Sequence, residues 1–205
     1  MLHGLYAITD QTLTPDSSLI AQVESALKGG ANVIQYRDKS DDQPKRLQQA
    51  KALVELCQRY QRPLLINDDP QLALEAGAAG VHLGQGDTTL AQARNLLGNE
   101  AIIGITCHDS LTLAQQAQQQ GADYVAFGAF FTSRSKPDAN PAPLALLQQA
   151  SNQLDIPIVA IGGICVDNAA QVISQGADMT AVIADLFSAD DIEHQARRLT
   201  SLFDA

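Results

Sequence analysis

Gly30-Ala31-Asn32-Val33-Ile34 sets the pattern of the chain: a glycine–alanine pair that runs at once into apolar residues. The phrase returns as Gly77-Ala78 before Val81, Gly121-Ala122 before Tyr124-Val125, and Gly176-Ala177 before Met179, at intervals of 47, 44 and 55 residues. Each fits a helix C-terminus closed by glycine, which adopts positive φ without a Cβ clash, followed directly by a buried strand. A second set of short apolar runs, 5–8, 64–66, 102–105 and 158–161, falls between these phrases and brings the count of expected strands to eight. The segments between runs carry apolar residues at helical spacing, as in Leu47, Ala50, Val54 and Cys57 or Leu111, Ala114 and Ala117, with Gln, Lys and Arg on the other faces. Strands that are apolar throughout suit a parallel sheet covered by helices, and eight βα units close into an α/β fold of the (β/α)8 TIM-barrel type. An open doubly wound sheet is the alternative. Against it, Leu5-Tyr-Ala-Ile-Thr-Asp10 continues into Gln, Thr and Leu, with no G-x-G-x-x-G after the first strand.

The composition agrees with one such barrel spanning 1–205. A chain of 205 residues with 45% hydrophobic and 18% charged residues buries a substantial core, and near the lower limit for eight βα units its loops must be short. The longest candidate loop is 132–143. A net charge of −10 offers no basic face for nucleic acid or an anionic membrane, and only 4% aromatic residues argue against a base-stacking platform. No apolar stretch reaches the roughly 18 to 20 residues of a membrane span, and no signal-like segment opens the chain, so a cytoplasmic location is expected. Cys57, Cys107 and Cys165 are odd in number and widely spaced, which fits reduced thiols.

In a (β/α)8 barrel the active site lies at the C-terminal ends of the strands. The second run ends in Gln35-Tyr36-Arg37-Asp38-Lys39, where alternation puts Gln35, Arg37 and Lys39 on one side. The third ends in Asn67-Asp68-Asp69-Pro70 and the fourth in Gly84-Gln85-Gly86-Asp87. Asp68 and Asp87 thus end adjacent strands and could face one hard cation, since Mg2+ takes a few carboxylates together with phosphate oxygens and water. Helix N-capping by Asp69 or Asp87 is the plainer reading of either aspartate alone. The fifth run ends in Thr106-Cys107-His108-Asp109, and Ser133-Arg134-Ser135-Lys136 follows the sixth, two hydroxyls and cations suited to a phosphate or diphosphate. Gly162-Gly163 after the seventh would expose backbone N–H groups, either to a phosphate or merely through a tight turn. His82 reads as a core histidine with a satisfied hydrogen bond, and His108 as a neighbour of the site.

Taken in order, Gln35-Tyr-Arg-Asp-Lys39, Ile66-Asn-Asp-Asp69, Gly80-Val-His-Leu-Gly-Gln-Gly-Asp87, Gly104-Ile-Thr-Cys-His108, Gly128-Ala-Phe-Phe-Thr-Ser-Arg-Ser-Lys136 and Ala160-Ile-Gly-Gly-Ile164 resemble the motif series of the thiamine phosphate synthase family across essentially the whole chain. The resemblance implies a (β/α)8 barrel that condenses an aminopyrimidine methyl diphosphate with a thiazole phosphate, releasing diphosphate and, from a carboxylated thiazole, carbon dioxide. It implies that Gln35, Tyr36, Arg37, Asp38, Lys39, Asn67, Thr106 and Lys136 hold the pyrimidine diphosphate, with Arg37, Lys39 and Lys136 assisting departure of the leaving group. It further implies that Asp68 and Asp87 bind Mg2+, that Ser133, Arg134, Ser135, Gly163, Ile183 and Ala184 hold the thiazole phosphate, and that the partners are small phosphorylated substrates and a second copy in a homodimer. Three segments depart from the family pattern. Ala129 and Thr132 stand at proline positions of the sixth loop with Ser133 and Ser135 at its threonines; Ala184-Asp185 replaces a Ser-Ala pair; and Thr106 replaces a serine. Two alternatives stay open: a thiazole tautomerase relative that needs neither Mg2+ nor diphosphate, and a catalytically idle phosphate-binding or regulatory barrel.

Overall fold

A computed structural model describes residues 2–132 and 141–204. Its strands are β1 (Gly4–Ile8), β2 (Val33–Tyr36), β3 (Leu64–Asn67), β4 (Gly80–Leu83), β5 (Ile102–His108), β6 (Tyr124–Gly128), β7 (Ile158–Ile161) and β8 (Met179–Val182). They pair in parallel and in chain order, with β8 returning to β1 to close the barrel. Between them run α1 (Leu19–Lys28), α2 (Gln43–Arg59), α3 (Pro70–Ala76), α4 (Leu90–Leu97), α5 (Leu111–Gln119), α6 (Ala145–Ser151) and α7 (Val166–Ser174). The last unit departs from the expected single helix: β8 is followed by the short α8 (Ala184–Phe187) and then α9 (Ile192–Ser201).

The glycine phrases do what their chemistry allows. Gly77 closes α3 with φ 70°, and Gly30, Gly121 and Gly176 take φ 99°, 88° and 101° just past their helices, so each strand begins within a few residues. Every strand has two apolar environments. Leu5, Ile34, Leu64, Val81, Ile103 and Val125 face the helices, whereas Tyr6, Val33, Leu65, Tyr124, Val159 and Met179 pack inside the barrel. That double burial explains why the runs read as continuous rather than alternating. Among the described residues no helix is long and apolar enough to cross a membrane.

The N-terminal face of the barrel carries a stability device. The Arg94 guanidinium, at the end of α4, donates to the carbonyls of Ala101 and Gly121 (3.0 Å to the latter) and pairs with Asp123 at 2.6 Å. Asp123 also accepts from the Ile103 N–H at 2.7 Å, so one ion pair ties the starts of β5 and β6 to α4.

Candidate functional site

The strand ends of β2 to β5 bring the expected polar residues to one rim. Gln35 lies inside the barrel and is 2% exposed; its Nε2 donates to the Tyr6 hydroxyl at 2.6 Å. Its neighbours Tyr36 and Asp38 are on the opposite face. The Tyr36 hydroxyl donates to Gln49 of α2 at 2.7 Å, and Asp38 pairs with Lys45 of α2 at 2.8 Å. Burial alone would raise the Asp38 carboxyl, but the Lys45 and Ser40 contacts prevail and hold it below the usual carboxylate range. These contacts anchor the β2–α2 turn to its helix, and Asp38 also lines the cavity that opens beside Lys39 and Asp68. The sequence alternation of 35, 37 and 39 against 36 and 38 carries the difference in face.

Arg37 leans on Asp10 at 3.5 Å, and its backbone N–H is held by Thr9 Oγ1 at 2.9 Å. Lys39 crosses to β3 and makes a short contact with Asp68. Asp68 sits at φ 62°, a left-handed conformation that aspartate tolerates better than most residues. This backbone turn separates it from Asp69, whose carboxylate caps α3 through the Leu72 N–H at 2.9 Å and pairs with Arg46 at 3.0 Å. Asp87 does not cap a helix: Thr89 caps α4, and the Asp87 carboxylate accepts from the Gly84 N–H at 2.7 Å across the β4–α4 turn.

The Asp68 and Asp87 carboxyl groups lie close enough for each to shift the other. Burial raises Asp68, but the Lys39 ammonium and the Asp87 carboxyl outweigh it and keep Asp68 below the usual carboxylate range. Burial and then the Asp68 carboxylate push Asp87 up, against the pull of the Gly84 N–H. Among the described residues no group of three or more His, Cys, Asp and Glu forms a metal cluster. Beside Asp68 opens a cavity of about 570 Å3, lined in part by Lys39, Arg46, Asn67, Asp69 and Gln92.

On the far side of the mouth, Thr106 accepts or donates at 2.8 Å with His82 Nε2, just before a register shift in β5 that brings His108 to an exposed position with φ 51°. His82 is held on its other nitrogen by the Tyr124 hydroxyl at 2.9 Å, and burial lowers it to about 4, so the ring is neutral at physiological pH. The expectation of a hydrogen-bonded core histidine fits this placement. Cys57 and Cys107 are buried thiols pushed up to about 12, and all three cysteines are free.

The β7–α7 turn presses against the segment after β6. A Cβ on Gly162 would lie 2.3 Å from the Ala129 Cβ, and one on Gly163 2.5 Å from the Thr132 carbonyl oxygen. Both glycines also have positive φ, so close approach and backbone conformation each require them. Ile183 precedes α8 and Ala184 opens it. Asp185 does not stand loose beside them: its carboxylate accepts from the Val166 N–H of α7 at 3.2 Å and from Gln195 of α9 at 2.7 Å. Ser133, Arg134, Ser135 and Lys136 lie outside the described residues.

The family model for thiamine monophosphate synthase matches residues 5–186. The chain belongs to the thiamine monophosphate synthase family. Curated relatives of this family include the thiamine-phosphate synthase of Thioalkalivibrio sulfidiphilus, 55% identical over 203 residues that cover 99% of this chain and 96% of that one. That of Marinobacter nauticus is 55% identical, covering 98% and 90% respectively. A solved structure of thiamine phosphate pyrophosphorylase from Pyrococcus furiosus superposes with a TM-score of 0.89 at 34% identity, covering 98% of this chain and 95% of that chain. Within this family member, the sequence reading passed over Thr9, Asp10 and Arg46, which steady the β2–α2 and β3–α3 turns, and Tyr6 and Tyr124, which line the barrel interior. The sequence signal for Tyr6 and Tyr124 is a hydroxyl within an apolar run, which needs a partner once buried.

Proposed function

We propose that the protein makes thiamine phosphate by joining an aminopyrimidine methyl diphosphate to a thiazole phosphate, with loss of diphosphate. The observation that carries the reading is the meeting of Lys39, Asp68 and Asp87 at the ends of neighbouring strands, above a buried Gln35. The bond that breaks joins the pyrimidine methylene carbon to the diphosphate oxygen, and its electron pair leaves with the diphosphate. The bond that forms takes the lone pair of the thiazole nitrogen to that carbon, giving the thiazolium product. With a carboxylated thiazole, carbon dioxide is also released.

Arg37 and Lys39 neutralise charge that builds on the departing diphosphate, and Lys136 is assigned to the same task from its motif. Asn67 and Thr106 flank the diphosphate and pyrimidine, while Gln35 meets the pyrimidine edge from inside the barrel. Gly163, Ile183 and Ala184 would present backbone N–H groups to the thiazole phosphate, helped by Ser133, Arg134 and Ser135, so that the nitrogen is held close to the reacting carbon. Asp185, already bound to the Val166 N–H and to Gln195, shapes that cradle through α7 and α9.

The donor set of Asp68 and Asp87 fits Mg2+. Two hard carboxylates meet at the rim beside Lys39, where a divalent cation would relieve their mutual repulsion and leave room for phosphate oxygens and water. Bound there, the ion would supply Lewis-acid stabilisation to the leaving group. The paired aspartates and Lys39 favour this reading over proton transfer in a tautomerase, which has no need of a diphosphate site. The test is incubation of the purified protein with both phosphorylated substrates, with and without Mg2+, following diphosphate and thiamine phosphate. The reading expects Mg2+-dependent formation of both in equal amounts, and their absence would refute it.

A further inference from the structure

Five side chains from five strands form an unbroken hydrogen-bonded row through the barrel interior. Gln35 Nε2 meets the Tyr6 hydroxyl at 2.6 Å, Tyr6 meets Tyr124 at 2.8 Å, Tyr124 meets His82 Nδ1 at 2.9 Å, and His82 Nε2 meets Thr106 Oγ1 at 2.8 Å. The row is rigid. Tyr6 and Tyr124 are no more than 1% exposed and meet edge to face at 6.0 Å, and Tyr124 stacks on His82 at 5.5 Å with 19° between the rings. Gly104 is the gap that admits Tyr124, since a Cβ there would lie 1.9 Å from the Tyr124 Cζ.

Proton counting ties the Gln35 amide to the direction of the row. Each phenol has one proton and a neutral imidazole carries one, so turning the Gln35 oxygen toward Tyr6 forces every other link to reverse. In the first direction Gln35 donates to Tyr6, Tyr6 to Tyr124, Tyr124 to His82 Nδ1, and His82 Nε2–H to Thr106. Gln35 then keeps its Oε1 and one N–H for a ligand, and the Thr106 proton is free to be given outward. In the reverse direction Gln35 must turn its oxygen to Tyr6 and show its amino group to the mouth.

We propose that Tyr6, Tyr124 and His82 are positioning residues that lock the Gln35 amide in the first orientation, and that this lock selects a 4-aminopyrimidine over its 4-oxo counterpart. A 4-aminopyrimidine edge offers one acceptor, the ring nitrogen, beside one donor, the amino group. Gln35 in the first orientation offers the complementary N–H and oxygen. The 4-oxo compound carries the inverted pair, a ring N–H beside a carbonyl, and an amide that could rotate freely would accept it equally well. Here rotation requires reversal of the whole row. No partner among the described residues takes the Gln35 Oε1, which leaves it for the ligand. The inference rests on the proposed assignment of Gln35 to the pyrimidine.

The test measures binding of 4-amino- and 4-oxo-2-methylpyrimidine methyl diphosphates by calorimetry, without thiazole phosphate, to the wild type, Tyr124→Phe and Tyr6→Phe. The wild type should prefer the amino compound by on the order of 100-fold or more, as expected where a wrong partner leaves buried polar groups unpaired. Each variant should narrow the ratio by about tenfold, chiefly by gaining affinity for the oxo compound. A ratio unchanged in both variants, or equal losses for both compounds, would overturn the lock. Failure of the wild type to bind either compound would instead refute the assignment of the pyrimidine site. Nitrogen-15 NMR of His82 gives a check independent of ligands and of the variants' folding: the wild type should show Nε2 protonated and Nδ1 bare, and the opposite tautomer would overturn the direction.

Discussion

Gly104→Ala adds one methyl group at the centre of the barrel. Gly104 faces inward on β5, and the new Cβ would stand 1.9 Å from the Tyr124 Cζ and 2.3 and 2.4 Å from its Cε atoms. Ordinary carbon contacts need about 3.5 Å, so the ring must retreat by roughly 1.6 Å or β5 must shift by as much. A ring displaced that far cannot keep its hydroxyl on both Tyr6 and His82, which now lie at 2.8 and 2.9 Å. Overpacking costs about 1–3 kcal/mol and each lost buried hydrogen bond about 1 kcal/mol, giving a total near 4 kcal/mol. For a chain of this length that corresponds to a fall in Tm of roughly 8–16 °C, read by circular dichroism melting. In a Tyr124→Leu background the same substitution should cost less than half as much, because the crowding ring is gone. A Gly104→Ala protein that melts within about 2 °C of wild type would refute the reasoning.

Three further outcomes follow from other contacts. Arg94→Ala removes the guanidinium from Asp123 and from the Ala101 and Gly121 carbonyls and should cost about 3 kcal/mol in urea unfolding; Arg94→Lys should recover only part, because one ammonium cannot span the same fork. Asp185→Ala releases the Val166 N–H and Gln195 and should lower stability by about 1 kcal/mol, the scale of a lost helix cap, while a carboxylate retained by Asp185→Glu should restore part of it. The raised Asp87 carboxyl takes up its proton above the ordinary carboxylate range; the Mg2+ concentration for half-maximal turnover should therefore be flat at neutral pH and climb as pH falls through that region. Asp87→Asn should remove that climb along with most of the activity.

Much of this architecture was written locally in the chain. Gly77 and the glycines at 30, 121 and 176 mark where helices stop because only a residue without a Cβ takes those φ values cheaply. The runs that follow are strands because each is buried on both faces. That same double burial hides the parity of the strands: nothing apolar distinguishes Ile34, which meets helices, from Val33, which meets the barrel interior. Past the apolar run the alternation does separate Tyr36 and Asp38 from Gln35 and Lys39; the family resemblance groups all of them, and Tyr36 and Asp38 contact α2. The polar strand ends were legible as a rim because the fold places every such end on one side. The Tyr6–Tyr124 contact, 118 residues apart, and the link from Asp185 to Val166 were not, since they depend on chain segments that meet only once the barrel closes. The net charge of −10 likewise excludes a broad basic face but says nothing of Arg37 and Lys39, two cations gathered at a rim beside acidic partners.

The central claim is that this rim carries away a diphosphate, and diphosphate release at saturating pyrimidine diphosphate and thiazole phosphate tests it most directly. Wild type should release diphosphate and thiamine phosphate one for one with Mg2+ present. Lys39→Ala and Asp87→Ala should each lower that rate by about 100- to 1000-fold, the scale of removing one group that stabilises developing charge, with Tm little changed. Near-normal release by both folded variants would contradict the account.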